Sequence, residues 1–442
     1  MSKSFLFVFM FCMPFIWAQH KISAVFTPAE NFEIAILYKI STQNLSYVTY
    51  AKFNEKGQLS MSLDSTLTKG MYRLVYAMPH EEYNFDLIYN TNEDIEFKFN
   101  QEKGLEFTNS QENRLIEQYR KTMAAIDYKI AAAYRKQPLD STLLRQLFET
   151  QNTKQSEYEI QSKYLVVHEF IRANRRYIPS SYEPLKKYES NIKKHHFDVV
   201  DFNNPILLSS TFLIDHAVEY VFGLTDTSLL TPELVEENVM TLNQKLKSAA
   251  TPQIRYDIFK VIHQQMLEVN YEPLALDISK QILMPLAITL NDYEGIQAMH
   301  DFERTAIGSL APNFEIEEKN STTKAKTLHD LEGKASYILV FWSSSCGHCI
   351  DELPQIHKIV SDHQTNDKSI IAIGLEENPY KWNNMKYEMT AFTHVLALGK
   401  WEHPLVQLYN ITTTPFYMVL DKEKNITAKP ESLEDLLPFI QK

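Results

Sequence analysis

The sequence is short of several residue types, and each shortage narrows the possible functions. Only three cysteines occur, and one of them lies within the first twelve residues, so thiol chemistry is confined to the remaining pair. With 10 glycines in 442 residues, a fold built on glycine-rich loops is disfavoured. Lysine and arginine form no cluster in a chain of formal net charge −12, which argues against a nucleic-acid partner. Beyond the N-terminus we find no apolar run suited to a transmembrane helix, so we expect a chain that does not span a membrane.

The N-terminal segment has the pattern of a secretory signal. Lys3 supplies the positive charge, Phe5–Trp17 is almost wholly apolar, and a small residue follows at the cleavage position. A lipoprotein signal using Cys12 is the alternative, but Phe11 stands where a small residue is expected. We therefore predict a signal peptide over residues 1–19 and an exported protein in the periplasm or cell envelope.

The remaining length suggests roughly three domains. Residues 31 to 100 alternate between apolar and polar side chains with a period of two, over about six segments. This period predicts antiparallel strands with one solvated face. We interpret residues 20–104 as an antiparallel β-sandwich or open barrel.

From about residue 109 the apolar period becomes helical. The stripe that shows the change comprises Leu115, Tyr119, Met123, Ile126 and Ile130. Asn109 with Glu112 could form the capping box at its start. Thr231-Pro232 and Thr251-Pro252 have the pattern of helix starts, and Gly223 that of a helix end. We therefore predict an all-α region over residues 105–304.

Apolar runs alternate with helical segments in the last part of the chain. The predicted strands are 337–343, 369–375, 393–398 and 416–421, with a hairpin partner near 425–428. Helices are predicted from Cys346, within 376–391, through Leu405 and Leu408, and at the C-terminus. Buried strands between helices indicate a sheet covered on both faces, so residues 305–442 are predicted to form an α/β domain.

Cys346 and Cys349 stand in Ser-Cys-Gly-His-Cys directly after the apolar run Tyr337–Trp342. A strand that delivers two cysteines to the start of a helix is typical of thiol–disulfide exchange. Unpaired N–H groups and the helix dipole would favour the thiolate of Cys346, which makes it the attacking sulfur. Cys349, one turn on, would resolve the mixed disulfide, and a protonated His348 would add positive charge near Cys346.

These residues carry a resemblance to a family. The segment from Phe341 to Cys349, followed by Glu352, Pro354 and Thr414-Pro415, resembles the thioredoxin-like superfamily. Within it, the likeness is to exported thiol–disulfide oxidoreductases related to cytochrome c maturation reductases, often fused to accessory β and helical domains. The resemblance covers roughly residues 308–442.

The resemblance implies further roles. Thr414-Pro415 would have a cis peptide bond and lie against the sulfurs, and Glu352 would act as acid or base near Cys349. Trp342, Ser345, Thr414 and Pro415 would contact the substrate. The cofactor would be the Cys346–Cys349 disulfide itself, without a metal. Partners would be protein thiols or disulfides and a membrane electron donor or acceptor.

Two positions depart from the family pattern. Ser345 replaces the tryptophan that often precedes the first cysteine, and Val340 stands where thioredoxins have a buried aspartate. The Gly-His dipeptide matches disulfide isomerases rather than reductases, so the sequence leaves the direction of electron flow open.

Other readings of the sequence remain. A zinc site would need two further ligands, and His403 is the one nearby candidate. A peroxiredoxin would need proline where Leu339 stands. An envelope binding or scaffold protein, in which the thioredoxin-like module only docks or senses, is the alternative from a different class, because two thirds of the chain lies outside that module.

Overall fold

A computed structural model describes residues 20–42, 44–225, 229–316, 326–362 and 367–441. The predicted signal peptide and Cys12 lie outside these residues. The chain divides into two compact units, one ending at Ile258 and one beginning at Phe259. The predicted domain boundaries near residues 104 and 304 stay predictions.

The first unit begins with two four-stranded sheets. Their strands are β1 (Lys21–Thr27), β2 (Ile34–Ile40), β3 (Leu45–Lys52), β4 (Gln58–Ser62), β5 (Gly70–Val75), β6 (Asn84–Tyr89), β7 (Ile95–Asn100) and β8 (Gly104–Asn109). One sheet has the order β4-β1-β7-β8 and the other β3-β2-β5-β6. The alternating apolar residues of both sheets form one core, and Phe26, fully buried, contacts six aromatic rings with centroids 4.7 to 6.3 Å away.

The predicted sandwich is confirmed, with two corrections. There are eight strands rather than about six, because β1 and β8 were not recognised. The sheets are also not wholly antiparallel, since β1 pairs in parallel with β7, matching Ile22 to Ile95. Such a pairing between distant segments leaves no mark in a local alternation pattern.

Helices complete the first unit. They are α1 (Gln111–Arg135), α2 (Ser141–Ser162), α3 (Val167–Ala173), α4 (Leu185–Lys194), α5 (Phe212–Val218) and α6 (Pro232–Ala249), with the first part of α7 (Pro252–Glu268). The Thr231 and Thr251 hydroxyls each accept an N–H of the first turn, as predicted. The predicted cap of α1 is wrong by one residue: Ser110 accepts the Asn113 N–H, while Asn109 still belongs to β8.

The second unit starts with the rest of α7 and with α8 (Glu272–Ile278), α9 (Met284–Leu290) and α10 (Tyr293–Thr305). Glu272–Leu290 is helical throughout and, by length and composition alone, could cross a membrane. The expectation that no later segment is long and apolar enough for a transmembrane helix is therefore wrong on length and composition. Half of this segment is buried inside the protein.

An α/β domain completes the second unit. Its strands are β9 (Ser336–Trp342), β10 (Lys368–Glu376), β11 (Thr393–Leu398), β12 (Phe416–Asp421) and β13 (Ile426–Ala428), in the order β11-β10-β9-β12-β13. Its helices are α11 (Gly347–Asp362), α12 (Tyr380–Lys386), α13 (Pro404–Leu408) and α14 (Leu433–Gln441). β9, β10 and β11 are parallel, and β12 is antiparallel to β9.

β9 lies at the centre and is buried on both faces. Tyr337, Leu339 and Phe341 belong to one apolar cluster, and Ile338, Val340 and Trp342 belong to the other. Both clusters pack against helices, which is why the apolar run is continuous rather than alternating. The domain therefore has the predicted thioredoxin-like α/β architecture.

Helix α10 is held against the α/β domain by polar contacts. The Arg304 guanidinium donates to the carbonyls of Leu408 and Gln407, and the Asn410 amide donates to the Asp301 carbonyl. These contacts are consistent with α10 and the α/β domain belonging to one compact unit.

Candidate active site

Cys346 lies at the start of α11, where β9 ends. Its carbonyl accepts the Ile350 N–H at 3.1 Å, the first bond of the helix. Its Sγ accepts the Cys349 N–H at 3.3 Å. Cys346 therefore occupies the N-cap position, and its sulfur serves as the acceptor for an N–H that the helix leaves unpaired.

The loop before β12 closes over the same sulfur. The Cys346 Sγ lies 3.2 Å from the Thr414 carbonyl oxygen and can donate to it as a thiol. The Thr414–Pro415 peptide bond is cis, as the resemblance implied. Thr414 and Pro415 are half-buried, so this loop borders the partly exposed Cys346.

The two cysteines differ sharply in their surroundings. Cys346 is partly exposed, whereas Cys349 is fully buried among the apolar side chains of α11 and the sheet. Both are free thiols. Burial, and then the hydrogen bond with Cys346, raise the pKa of the Cys349 thiol to about 12. Cys349 is therefore protonated at neutral pH and must lose its proton before it can attack.

Glu352 is not a solvated charge on the surface. It is half-buried one turn after Cys349, and the hydroxyl of buried Tyr417 donates to its Oε2 at 2.5 Å. Burial and this hydrogen bond raise the pKa of Tyr417 well above its ordinary value, and the two cysteines add to the effect. The Tyr417 hydroxyl thus bonds Glu352 and lies near enough to the cysteine pair for their charges to affect its pKa.

The loop between β9 and α11 is held by a carboxylate that the sequence analysis missed. Glu376, the last residue of β10, is 4% exposed. Its Oε1 accepts the Ser344 N–H at 2.5 Å, and its Oε2 accepts the Ser344 hydroxyl at 2.8 Å. An acidic residue directly after the apolar run Ile370–Leu375 was the available signal.

The remaining predicted site residues lie in different environments. Ser345 and His348 are exposed beside Cys346, and the Ser345 hydroxyl contacts the Ser343 hydroxyl at 2.9 Å. Trp342 is fully buried in the core beneath the cysteines, because β9 has both faces covered. We therefore assign Trp342 to packing and leave it out of the surface offered to a substrate.

Potential metal ligands gather elsewhere. Within the described parts of the chain, three or more His, Cys, Asp or Glu side chains lie close enough to share an ion only at His196, His216 and Glu219. The two histidine rings stack with centroids 3.8 Å apart, and each Nε2 lies at hydrogen-bond distance from the other's carbonyl oxygen. His403, the zinc candidate, accepts the Leu405 N–H at its Nδ1 and so caps α13.

Sequence comparison finds relatives of this chain. Residues 306–432 match the Redoxin family. The chain is 26% identical over 161 residues to the thiol-disulfide oxidoreductase ResA of Bacillus cereus, covering 35% of this chain and 88% of that protein. It is 24% identical over 164 residues to ResA of Bacillus anthracis, covering 36% and 91%. The α/β domain is thus similar to the ResA-like branch of the thioredoxin-like superfamily.

Solved structures show likenesses as well. The thioredoxin domain of a thiol-disulfide oxidoreductase from Bacteroides vulgatus is 24% identical, with a TM-score of 0.27, covering 31% of this chain and 96% of that one. A thioredoxin-like protein from Bacteroides caccae is 14% identical, with a TM-score of 0.31, covering 60% and 96%.

Proposed function

We propose that this chain, whose α/β domain is thioredoxin-like and similar to ResA, is a thiol–disulfide oxidoreductase that acts on protein disulfides through Cys346 and Cys349. The observation that carries the proposal is the asymmetry of the pair. Cys346 is partly exposed and caps a helix with its sulfur, while Cys349 is buried and protonated behind it. This asymmetry supports a division of roles in which Cys346 meets the substrate disulfide and Cys349 completes the exchange.

In the reducing direction, the Cys346 thiolate attacks one sulfur of a substrate disulfide. A Cys346–substrate disulfide forms, and the other substrate sulfur leaves as a thiolate that takes up a proton. Cys349 then loses its proton and attacks the Cys346 sulfur. The Cys346–Cys349 disulfide forms, the second substrate thiol is released, and two electrons have passed from the chain to the substrate.

Glu352 is the residue that we propose accepts the Cys349 proton. It lies three residues further along α11, on the same face of the helix. The hydrogen bond from the Tyr417 hydroxyl orients the Glu352 carboxylate and occupies only its Oε2. Because burial keeps Cys349 protonated, a nearby base is needed for the resolving step. Val340 cannot serve, since its side chain is apolar.

The substrate surface we propose comprises Ser345, Thr414 and Pro415 around Cys346. His348, exposed at the first turn of α11, would add positive charge there when protonated. Every step of the exchange is reversible, so the net direction follows from the reduction potential of the pair against that of its partner.

We further propose that the reaction takes place in the periplasm or cell envelope, with a membrane protein as electron donor or acceptor. The support is the apolar N-terminal segment of the sequence. Separation of cell fractions followed by detection of the protein tests this location, and recovery in the cytoplasmic fraction would contradict it.

The mechanism is tested by trapping. In the Cys349→Ser chain the mixed disulfide with Cys346 cannot be resolved, so protein partners should accumulate in covalent complexes that dissolve on reduction. The matched Cys346→Ser chain should trap none and should lose exchange activity by at least about a thousandfold. Non-reducing electrophoresis and mass spectrometry give the result, and an absence of complexes with Cys349→Ser would refute the mechanism.

A further inference from the structure

A cleft of about 320 Å³ opens beside the loop between β9 and α11, which we call the active-site loop. It lies where the parallel strands β9, β10 and β11 end together, since Trp342 is in register with Gly374 and Glu376 with Leu398. Ligands of open parallel sheets bind outside the carboxyl ends of the strands. β12, which the Thr414–Pro415 loop precedes, is on the other side of β9. The cleft therefore shares Ser345 with the proposed substrate surface but lies on the other side of β9 from the Thr414–Pro415 loop.

The four charged side chains that line the cleft differ in whether they are free to bind a ligand. Glu376 is buried, and both of its oxygens are occupied by Ser344. Lys400 is half-buried, and its Nζ donates to the Ser345 hydroxyl at 3.3 Å. Lys381 and Glu377 are exposed. Across the described residues, neither lysine has a carboxylate within ion-pair distance, so both ammonium groups are available to a ligand.

The backbone brings Lys400 to this position. Gly399 has φ +104° and Lys400 has φ +49°, so two successive residues are left-handed. The Gly399 N–H donates to the Glu376 carbonyl at 3.0 Å, which ties the turn to the end of β10. A lysine is disfavoured in the left-handed region because its Cβ is crowded there. The turn that holds this conformation also holds the ammonium group next to Ser345, the residue before Cys346.

We propose that this cleft binds a carboxylate side chain of the substrate polypeptide, close in sequence to the cysteine that reacts with Cys346. Lys400 is the principal recognition group and Lys381 the second. The proposal rests on the proposed function, and it adds a substrate preference: disulfides flanked by aspartate or glutamate are exchanged faster than those flanked by lysine.

The test uses three synthetic peptides that differ at one position. Each carries one cysteine, linked as a disulfide to a coloured aromatic thiol, with Glu, Gln or Lys two residues away. The reduced full chain attacks the peptide sulfur and releases the coloured thiol, whose absorbance gives the rate. We expect the Glu peptide to react about threefold faster than the Gln peptide and the Lys peptide more slowly still. At 1 M salt the differences should shrink.

Two variants sharpen the result. In the chain carrying Lys381→Gln and Lys400→Gln, the three peptides should react at equal rates. Lys358→Gln, an exposed lysine of α11 away from the cleft, should leave the preference unchanged. Equal rates for the three peptides in the wild-type chain, or a preference that survives in the double variant, would overturn the proposal.

A binding measurement separates this proposal from the proposed function. If no peptide reacts with the wild-type chain, the redox function has failed. The same peptides with serine for cysteine are then titrated against the chain carrying Cys346→Ser and Cys349→Ser. Tighter binding of the Glu peptide, lost with Lys381→Gln and Lys400→Gln, supports the cleft, and equal binding of all three refutes it.

Discussion

The β-sandwich of the first unit and the α/β domain of the second both rest on buried sheets, but they bury them differently. In the sandwich, the alternating apolar residues form a core of aromatic rings around Phe26, and only β5 and the end of β6 are also buried on their other face. In the α/β domain, β9 is buried on both faces. The cysteines, Glu376 and the cleft lie together at the carboxyl end of this strand. When both faces of a sheet are covered, the polar side chains that can react or bind lie at the ends of its strands.

The largest expected effect concerns packing in the sandwich. Phe26→Ala should reduce the free energy of unfolding of the first unit by about 3–5 kcal/mol, because a fully buried ring surrounded by other rings is lost. Thiol exchange at Cys346 should not change. Protein lacking residues 1–19 has three tryptophans, Trp342, Trp382 and Trp401, and all lie in the second unit. Their emission reports the unfolding of the second unit, so the denaturant midpoint of that emission should be the same in Phe26→Ala as in the wild type. A parallel loss of exchange would show that the two regions are not separable.

The next effect concerns proton transfer in the α/β domain. Glu352→Gln keeps an acceptor for Tyr417 but cannot take a proton, so resolution of a mixed disulfide at pH 7 should slow by about 100-fold. Since the pKa of Cys349 is raised to about 12, the rate should climb with pH toward that value and the deficit should narrow. Stopped-flow release of a coloured thiol measures it. Glu388→Gln, at an exposed position, is the control, and a pH-independent deficit would contradict this role.

A smaller effect should follow from releasing the active-site loop. Glu376→Ala leaves the Ser344 N–H and hydroxyl without their acceptors, which should cost the second unit about 1.5–3 kcal/mol. Ser344→Ala, which removes one of the two bonds, should cost about 1 kcal/mol. Denaturant unfolding followed by tryptophan emission gives both values. Equal values for the two variants would show that the carboxylate does not hold the backbone of this loop.

The smallest expected effect is a difference between the two units in how much stability each loses in acid. Burial lowers the pKa of both His196 and His216 to about 4, so in the folded first unit both stay neutral. Their contribution to stability is complete above the ordinary pKa of about 6.5 and is lost as pH falls through about 4. Among the described histidines of the second unit, burial lowers the pKa of His263 to about 4, and burial also lowers the pKa of His403. The first unit should therefore lose more stability between pH 6.5 and 4, as circular dichroism and tryptophan emission can compare. An equal loss in the two units would contradict this difference.

Sequence patterns predicted the α/β domain closely and the sandwich less so. The predicted strands 393–398 and 416–421 match β11 and β12 residue for residue. Continuous apolar runs between helices are strong local signals. β8 contains only two apolar residues, Leu105 and Phe107. β1 joins its sheet by pairing in parallel with β7, where Ile22 lies opposite Ile95, 73 residues further along the chain. Neither fact is visible in a short window of sequence.

The sequence by itself determined the order of the elements in the α/β domain, the place of Cys346 at a helix start and the isolation of the cysteine pair. These properties follow from local periodicity and from the number of cysteines. Only the tertiary structure decided that Glu376 holds the active-site loop, that Trp342 belongs to the core, that Tyr417 bonds Glu352, and that Lys400 reaches Ser345. Each of these depends on residues distant in sequence, and their contact is set by the register of the strands between them.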